Sequence, residues 1–215
     1  MNEQVNRTYR SPRRAESARQ TRELIRAAAA RLFTDQGISA TTMRQIAKEA
    51  GVAERTVYTA FPTKTALFNE VVDVRTVGDE LPIPVSDRAE FTAAQAETDP
   101  TKAARIFVDY GTALLERAGQ LVMAAFESSG ADPDMREFCR RGADATAANL
   151  RTVAQAWERN GMLRDGLTAD AAAAMLFALA SPHVHQLLRR DQGWDVESYR
   201  DWLTSTIATT VLHDS

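Results

Sequence analysis

The side chains best placed to do chemistry in this sequence lie close together, in residues 54–64. The run ERTVYTA at 54–60 puts Glu54, Arg55, Thr56, Tyr58 and Thr59 on the outward positions of a short helix. One guanidinium, three hydroxyls and a carboxylate can bond phosphate oxygens and base edges. They do not form a bond-breaking set. The chain has no GxSxG elbow, no P-loop, no GxGxxG after a strand and no HExxH pair, and its carboxylates form no pair that rises above a solvated surface. No catalytic residue and no enzyme is expected. His183 and His185, two apart on a helix, would point about 200° apart, which is poor geometry for one metal. They read as pocket or interface residues, with Pro182 able to kink the helix around them. The single cysteine, Cys139, excludes an intrachain disulfide and a multi-cysteine zinc site. It reads as a small buried hydrophobe, with a redox-sensing thiol as the other option. No metal and no cofactor is expected.

What must position the 54–64 set is the stretch TTMRQIAKEAGVAERTVYTAFPTK at 41–64. Thr41 or Thr42 can cap a helix at 43–50, Gly51 turns the chain, a second helix covers 53–61, and Pro62 ends it. Helices of two turns are marginal alone in water, where roughly 12–15 residues are needed. Their apolar residues show how they would be held. Ile46, Ala47 and Ala50 share one face, and Val52, Val57 and Ala60 turn back toward it. Small Ala47 allows close approach, and Gly51 tolerates a left-handed backbone. This is a helix-turn-helix arrangement, in which the second helix enters the DNA major groove. A plain helical hairpin in an all-α core stays open on this window alone.

Further helices flank the pair. Leu24, Ile25, Ala28, Ala29, Leu32 and Phe33 recur at three- and four-residue steps in a helix from Ser17 to Gly37. Thr63 can cap another helix over 64–76. Residues 78–88 contain Gly78, Pro82 and Pro84 and read as a loop. Helical patterns follow at 101–118, 120–129, 133–160, 168–190 and 195–212, without β alternation. The fold class is all-α.

The formal net charge is −3 for 215 residues, but it divides unevenly. Residues 1–64 hold 12 Lys/Arg against 6 Asp/Glu, whereas residues 65–215 hold 14 against 23. A basic part joined to an acidic one suggests that the first meets a polyanion. No apolar run approaches the ~18 residues of a membrane span, and the arginine-rich N-terminus lacks the apolar core of a secretory signal. A cytoplasmic location is expected.

Thr42, Ile46-Ala47, Ala50-Gly51-Val52, Thr56, Tyr58, Phe61, Lys64 and Leu67 reproduce a recurrent pattern. Over about residues 17–70 the chain resembles the DNA-binding domain of the TetR family of transcriptional repressors; downstream it is similar only in the number and length of its helices. The resemblance implies that Arg55, Thr56 and Thr59 face the major groove, with Thr56 and Tyr58 also able to bond phosphate. It implies phosphate contacts at Lys64 and Thr42, with Arg44 nearby. Glu54 departs from what phosphates favour and can instead cap its helix or pair with Arg55. Arg7, Arg10, Arg13 and Arg14 belong to a solvated tail or reach the minor groove.

The same resemblance implies a homodimer, paired through helices such as 143–150 and 169–180, whose alanines permit close packing. It also implies a small-molecule cavity, for which Phe107, Tyr110, Met123, Phe126 and Trp157 are the candidate lining. The expected organisation is a flexible basic tail at 1–16, a helix-turn-helix domain at 17–64, a connecting helix at 64–76 and a helical ligand-binding and dimerisation domain at 77–215. The expected function is a repressor released from palindromic operator DNA by an apolar or amphipathic molecule. The alternative is an all-α protein-binding adaptor without DNA-binding activity; the basic N-terminal part and the outward 54–64 set argue against it.

Overall fold

The computed structural model describes residues 12–79, 81 and 83–213, with side chains from residue 15 onward. Ten α-helices form among them: α1 (Pro12–Gln36), α2 (Met43–Glu49), α3 (Glu54–Ala60), α4 (Lys64–Val77), α5 (Ala89–Ala96), α6 (Pro100–Ser128), α7 (Pro133–Arg159), α8 (Ala169–Leu179), α9 (Pro182–Gln186) and α10 (Val196–Thr210). The described residues contain no strand, only a single bridge between Leu163 and Leu212. The chain divides into two compact units between Val71 and Val72, inside the helix expected to be the connector.

In the N-terminal unit, α1 starts at Pro12, five residues before the expected Ser17. Apolar spacing marks a buried face and not a helix start. The extra turn is polar, opened by a proline suited to a first helical position and continued by Glu16, which accepts from Arg19 at 2.8 Å and Gln20 at 3.0 Å. Of the tail, Arg7 and Arg10 lie outside the described residues, as do the side chains of Arg13 and Arg14. The core contains Ile25, Ala29, Phe33, Ile38, Ile46, Val57, Phe61, Leu67 and Phe68, all buried. Phe33 and Phe68 meet edge to face with centroids 5.4 Å apart. Each large apolar side chain buried here stabilises by about 1.5–3 kcal/mol. That burial, more than helix propensity, holds the two short helices.

The second unit is built on α6. Gly119, expected to separate two helices, lies inside one helix of 29 residues. A single interior glycine costs only about 1 kcal/mol, and burial of Ala103, Ala104, Val108, Leu115, Ala118 and Leu121 along the same helix outweighs it. Trp157 of α7 is fully buried, packs edge to face on Phe107 at 5.8 Å and donates its indole N–H to Ala94 O at 2.8 Å. Ala94 belongs to α5, a helix that the 89–96 sequence did not announce. The expected helix at 168–190 is divided. Ser181 accepts from Val184 N at 3.3 Å, and Pro182 opens α9, because proline cannot continue α8. A π-helical turn, Leu187–Asp191, follows.

This broken run, Ala169–Asp191, corrects the expectation that no segment matches a membrane span. It covers 23 residues, with an 18-residue window of mean hydropathy 1.3, of which 22% is buried. The match is one of length and composition alone.

Candidate nucleic-acid interface

The α2–α3 pair is built by local chemistry. Thr42 caps α2 through a reciprocal box: its hydroxyl accepts from Gln45 N at 3.2 Å, while the Gln45 side-chain oxygen accepts from Thr42 N at 2.8 Å. Thr41, the other candidate cap, is buried and donates its hydroxyl to Gly37 O at 2.7 Å. At the C-terminus of α2, Val52 N bonds Ala47 O at 3.0 Å and Gly51 N bonds Lys48 O at 3.2 Å. Gly51 has φ +67°. This paired-bond ending requires a left-handed residue at Gly51 and delivers the chain into α3 at a fixed angle.

The turn leaves α3 with one buried residue, Val57, and a solvent face carrying Glu54, Arg55, Tyr58 and Thr59. Tyr58 is 49% exposed, an uncommon state for a large aromatic on a well-packed unit. Thr56 is half-buried, and Thr59 donates its hydroxyl to Arg55 O at 2.8 Å. Of the Thr42 groups, both the hydroxyl and the N–H are engaged with Gln45. Arg44 is exposed on α2, and so is Lys48, which the sequence reading did not single out. Its only signal was spacing: it stands four residues after Arg44 on the same face.

Several cations that looked available for DNA are engaged within the unit. Lys64 donates to Ile38 O at 2.7 Å and Thr41 O at 3.1 Å, tying the start of α4 to the turn before α2. Two of its three protons are therefore committed away from phosphate. Arg22 of α1 donates to Ala60 O at 2.7 Å and pairs with Glu70, and Arg26 reaches the same carboxylate at 2.9 Å. Arg31 pairs with Glu49. The outward cations of α2 and α3 are Arg44, Lys48 and Arg55.

Residues 25–71 match the profile of the bacterial regulatory proteins of the tetR family. Over 56 residues the chain is 43% identical to the HTH-type transcriptional regulator AcrR of Shigella flexneri, covering 26% of each protein. Over 206 residues it is 26% identical to the probable acrEF/envCD operon repressor of Escherichia coli (strain K12), covering 94% of this chain and 90% of that one. Residues 25–71 form a DNA-binding domain of the tetR family of bacterial regulatory proteins. Solved structures extend the similarity of fold over both units. NalD, the secondary repressor of the MexAB-OprM multidrug efflux pump in Pseudomonas aeruginosa, superposes with a TM-score of 0.71 at 24% identity, covering 93% of this chain and 100% of that chain. A SmeT–triclosan complex superposes with a TM-score of 0.72 at 19% identity, covering 91% and 93%. The chain is a helix-turn-helix DNA-binding regulator.

In the second unit, the five expected ligand-lining residues do not form one wall. Phe107 and Trp157 are packed against each other in the core, and Tyr110 lies against Phe91 at 6.2 Å. Phe126 instead meets His183, at 4.7 Å, outside that core cluster; Met123 is also outside it. An open groove of about 410 Å³ lies elsewhere, between the end of α4 and the loop after it, lined by Val74, Val77, Asp79, Ile83 and Val85 among others.

His185 is buried, with Nε2 2.9 Å from Glu116 Oε1. A carboxylate only accepts, so Nε2 carries the proton. Arg189 adds bonds of 2.7 and 3.0 Å to the same carboxylate. Arg189 chiefly holds the Glu116 carboxyl below its usual range, and burial pushes His185 below its own. Tyr199 stacks edge to face on His185 at 5.1 Å, its phenol pushed up to about 12 by burial. Cys139 is half-buried, and burial pushes its thiol up.

Proposed function

We propose that this regulator is a homodimeric repressor that binds two-fold symmetric operator DNA and releases it when a small apolar or amphipathic molecule binds the second unit. The observation that carries the DNA-binding part is the α3 face. Arg55, Tyr58 and Thr59 point to solvent from a helix fixed by the Gly51 turn, and this is the geometry of a groove-reading helix. In this reading Arg55, Thr56 and Thr59 address base edges, while Tyr58, Arg44 and Lys48 meet phosphates. Thr42 orients α2 through its cap, and Lys64 braces the turn before α2.

Dimerisation is supported by the surface of α7 and α8. Ala145 and Ala148 of α7 and Ala171, Ala174 and Ala178 of α8 are exposed, as is Phe177 of α8 at 38%. Small side chains on two adjacent helices suit a four-helix interface with a second copy. Release by an effector is supported by the relative named as an operon repressor and by the structural neighbour in complex with triclosan. The α4 groove, at about 410 Å³, is within the range of small-molecule sites and has largely aliphatic walls. The groove and the surroundings of Met123 and Phe126 are the two places in this unit for an effector.

A thermal-shift screen of apolar and amphipathic compounds, followed by titration of each stabiliser into the protein–DNA complex, tests the reading. The expected result is DNA release with sedimentation still showing a dimer. Stabilisers that bind free and DNA-bound protein equally would contradict it, because linkage requires reciprocal weakening.

A further inference from the structure

The arginines of α1 invite assignment as phosphate contacts, since they belong to the basic part of the chain. The contacts of Arg22 point elsewhere. Recognition helix α3 has only seven residues and closes its own end with a single bond, Phe61 N to Val57 O at 2.7 Å. Its last carbonyl, Ala60 O, is bonded by Arg22 Nη1 at 2.7 Å, which places a positive charge at the negative end of the helix. The Arg22 guanidinium also lies over the Phe61 ring, 4.2 Å from its centroid, and Phe61 itself is buried. Its Nη2 is bound to Glu70 of α4, and Arg26 holds the other oxygen of that carboxylate at 2.9 Å. The Arg26 side chain is only 12% exposed, too enclosed to reach a phosphate. One guanidinium thus joins three helices: it extends from α1, bonds the end of α3 and pairs with α4.

We propose that Arg22 and Glu70 are positioning residues for DNA reading: together they fix the pitch of α3 against α1 and α4, and Arg22 makes no phosphate contact of its own. A short helix whose one buried residue is Val57 can rock about its two turns. Rocking would misalign Arg55 with the base edges, while phosphate contacts that depend on charge alone would tolerate it. The pair therefore governs discrimination between sequences, not general attraction to DNA. This rests on α3 being the groove-entering helix.

The two roles predict opposite signs at Glu70. If Arg22 bound phosphate, Glu70 would compete with DNA, and Glu70→Gln would tighten binding to every duplex. As a positioning residue, Glu70 is required, and Glu70→Gln weakens specific binding although it removes a negative charge. The experiment compares wild type, Arg22→Ala, Arg22→Lys and Glu70→Gln on two probes across a salt series. One probe is a duplex that the wild type selects from a random pool, and the other is random duplex of equal length.

Specific affinity should fall about tenfold in all three variants, equivalent to about 1.4 kcal/mol. Random-duplex affinity should stay within about twofold and the salt slope should be unchanged. Arg22→Lys keeps the charge but cannot bridge two groups in plane, so it should not rescue. Without DNA, amide exchange at Val57–Phe61 should accelerate in every variant, while α6 amides stay protected. Equal weakening on both probes with a slope smaller by about 1.8, one phosphate contact for each protomer, would overturn the proposal, as would tighter binding by Glu70→Gln or unchanged exchange in α3. If the wild type selects no duplex, the DNA-reading assignment fails, and the exchange measurement still decides whether Arg22 and Glu70 hold α3. The near-isosteric Glu70→Gln keeps the test valid should Arg22→Ala not fold.

Discussion

Replacing Lys64 with methionine keeps the aliphatic stem and removes the ammonium. The resemblance to the family assigns this residue to a phosphate, whereas the structure engages it with Ile38 O at 2.7 Å and Thr41 O at 3.1 Å. A hydrogen bond from a charged donor contributes about 1.5–3 kcal/mol. Lys64 is half-buried, so water re-solvates the two carbonyls in part, and the low end applies. Lys64→Met should then cost about 2–3 kcal/mol, which for a unit of this size lowers its melting temperature by about 8–24 °C. The three tryptophans, Trp157, Trp194 and Trp202, all lie in the second unit, so their emission does not report on the loss. Amide exchange over residues 43–49 reports it, with tryptophan emission as the internal control. Well below the transition, the dependence of DNA affinity on salt should keep its wild-type slope. An unshifted melting temperature with a slope smaller by about 1.8, one contact for each protomer, would refute the reasoning and return Lys64 to the phosphates.

Arg55→Ala should cost roughly 1–3 kcal/mol of discrimination at one base position and leave random-duplex affinity nearly unchanged; equal loss on both, measured by competition binding, would count against base contact. Because burial holds the folded pKa of His185 below its unfolded value, the unfolded chain takes up the proton first as pH falls. Stability of the second unit should therefore be full above about pH 6.5 and decline below it. Glu116, also held low, adds its loss only further into acid, through its own depressed folded pKa. Urea midpoints followed by tryptophan emission between pH 7.5 and 5.5, expected to fall for wild type and to flatten in His185→Gln, check this. Phe177→Glu should convert the dimer to monomers by sedimentation without changing far-UV circular dichroism, since the side chain is already 38% exposed within one chain.

The helix-turn-helix was legible because its determinants are local. Gly51 must be left-handed, Ile46 and Val57 must face inward, and each demand shows within a few residues of sequence. Where the demand is tertiary, the sequence was silent. Nothing in AEFTAAQA shows that α5 will form, because its place is set by Phe91 and by the Trp157 indole bonding Ala94 O from 63 positions away. Gly119 looked like a stop and is instead carried by a long buried face, whereas Pro182 is a stop because it lacks the N–H that α8 would need. The site shows the same division. The outward direction of Arg55 and Tyr58 follows from helix period alone. The internal roles of Arg22, Lys64 and Glu70 depend on partners 23–48 positions away and could not be read from a basic composition. The candidate ligand residues failed to converge for that reason too. Phe107 and Trp157 found each other across α6 and α7, and aromatic content alone does not separate a core from a pocket.

The central claim is that α3 reads DNA as one of a two-fold pair. Hydroxyl-radical footprinting on a duplex bound by the wild type measures this directly. The account predicts two protected patches related by a dyad, with centres one helical turn apart, about 34–36 Å, both lost in a variant carrying Arg55→Ala and Tyr58→Ala. A single asymmetric patch, or protection that survives in that variant, would contradict it.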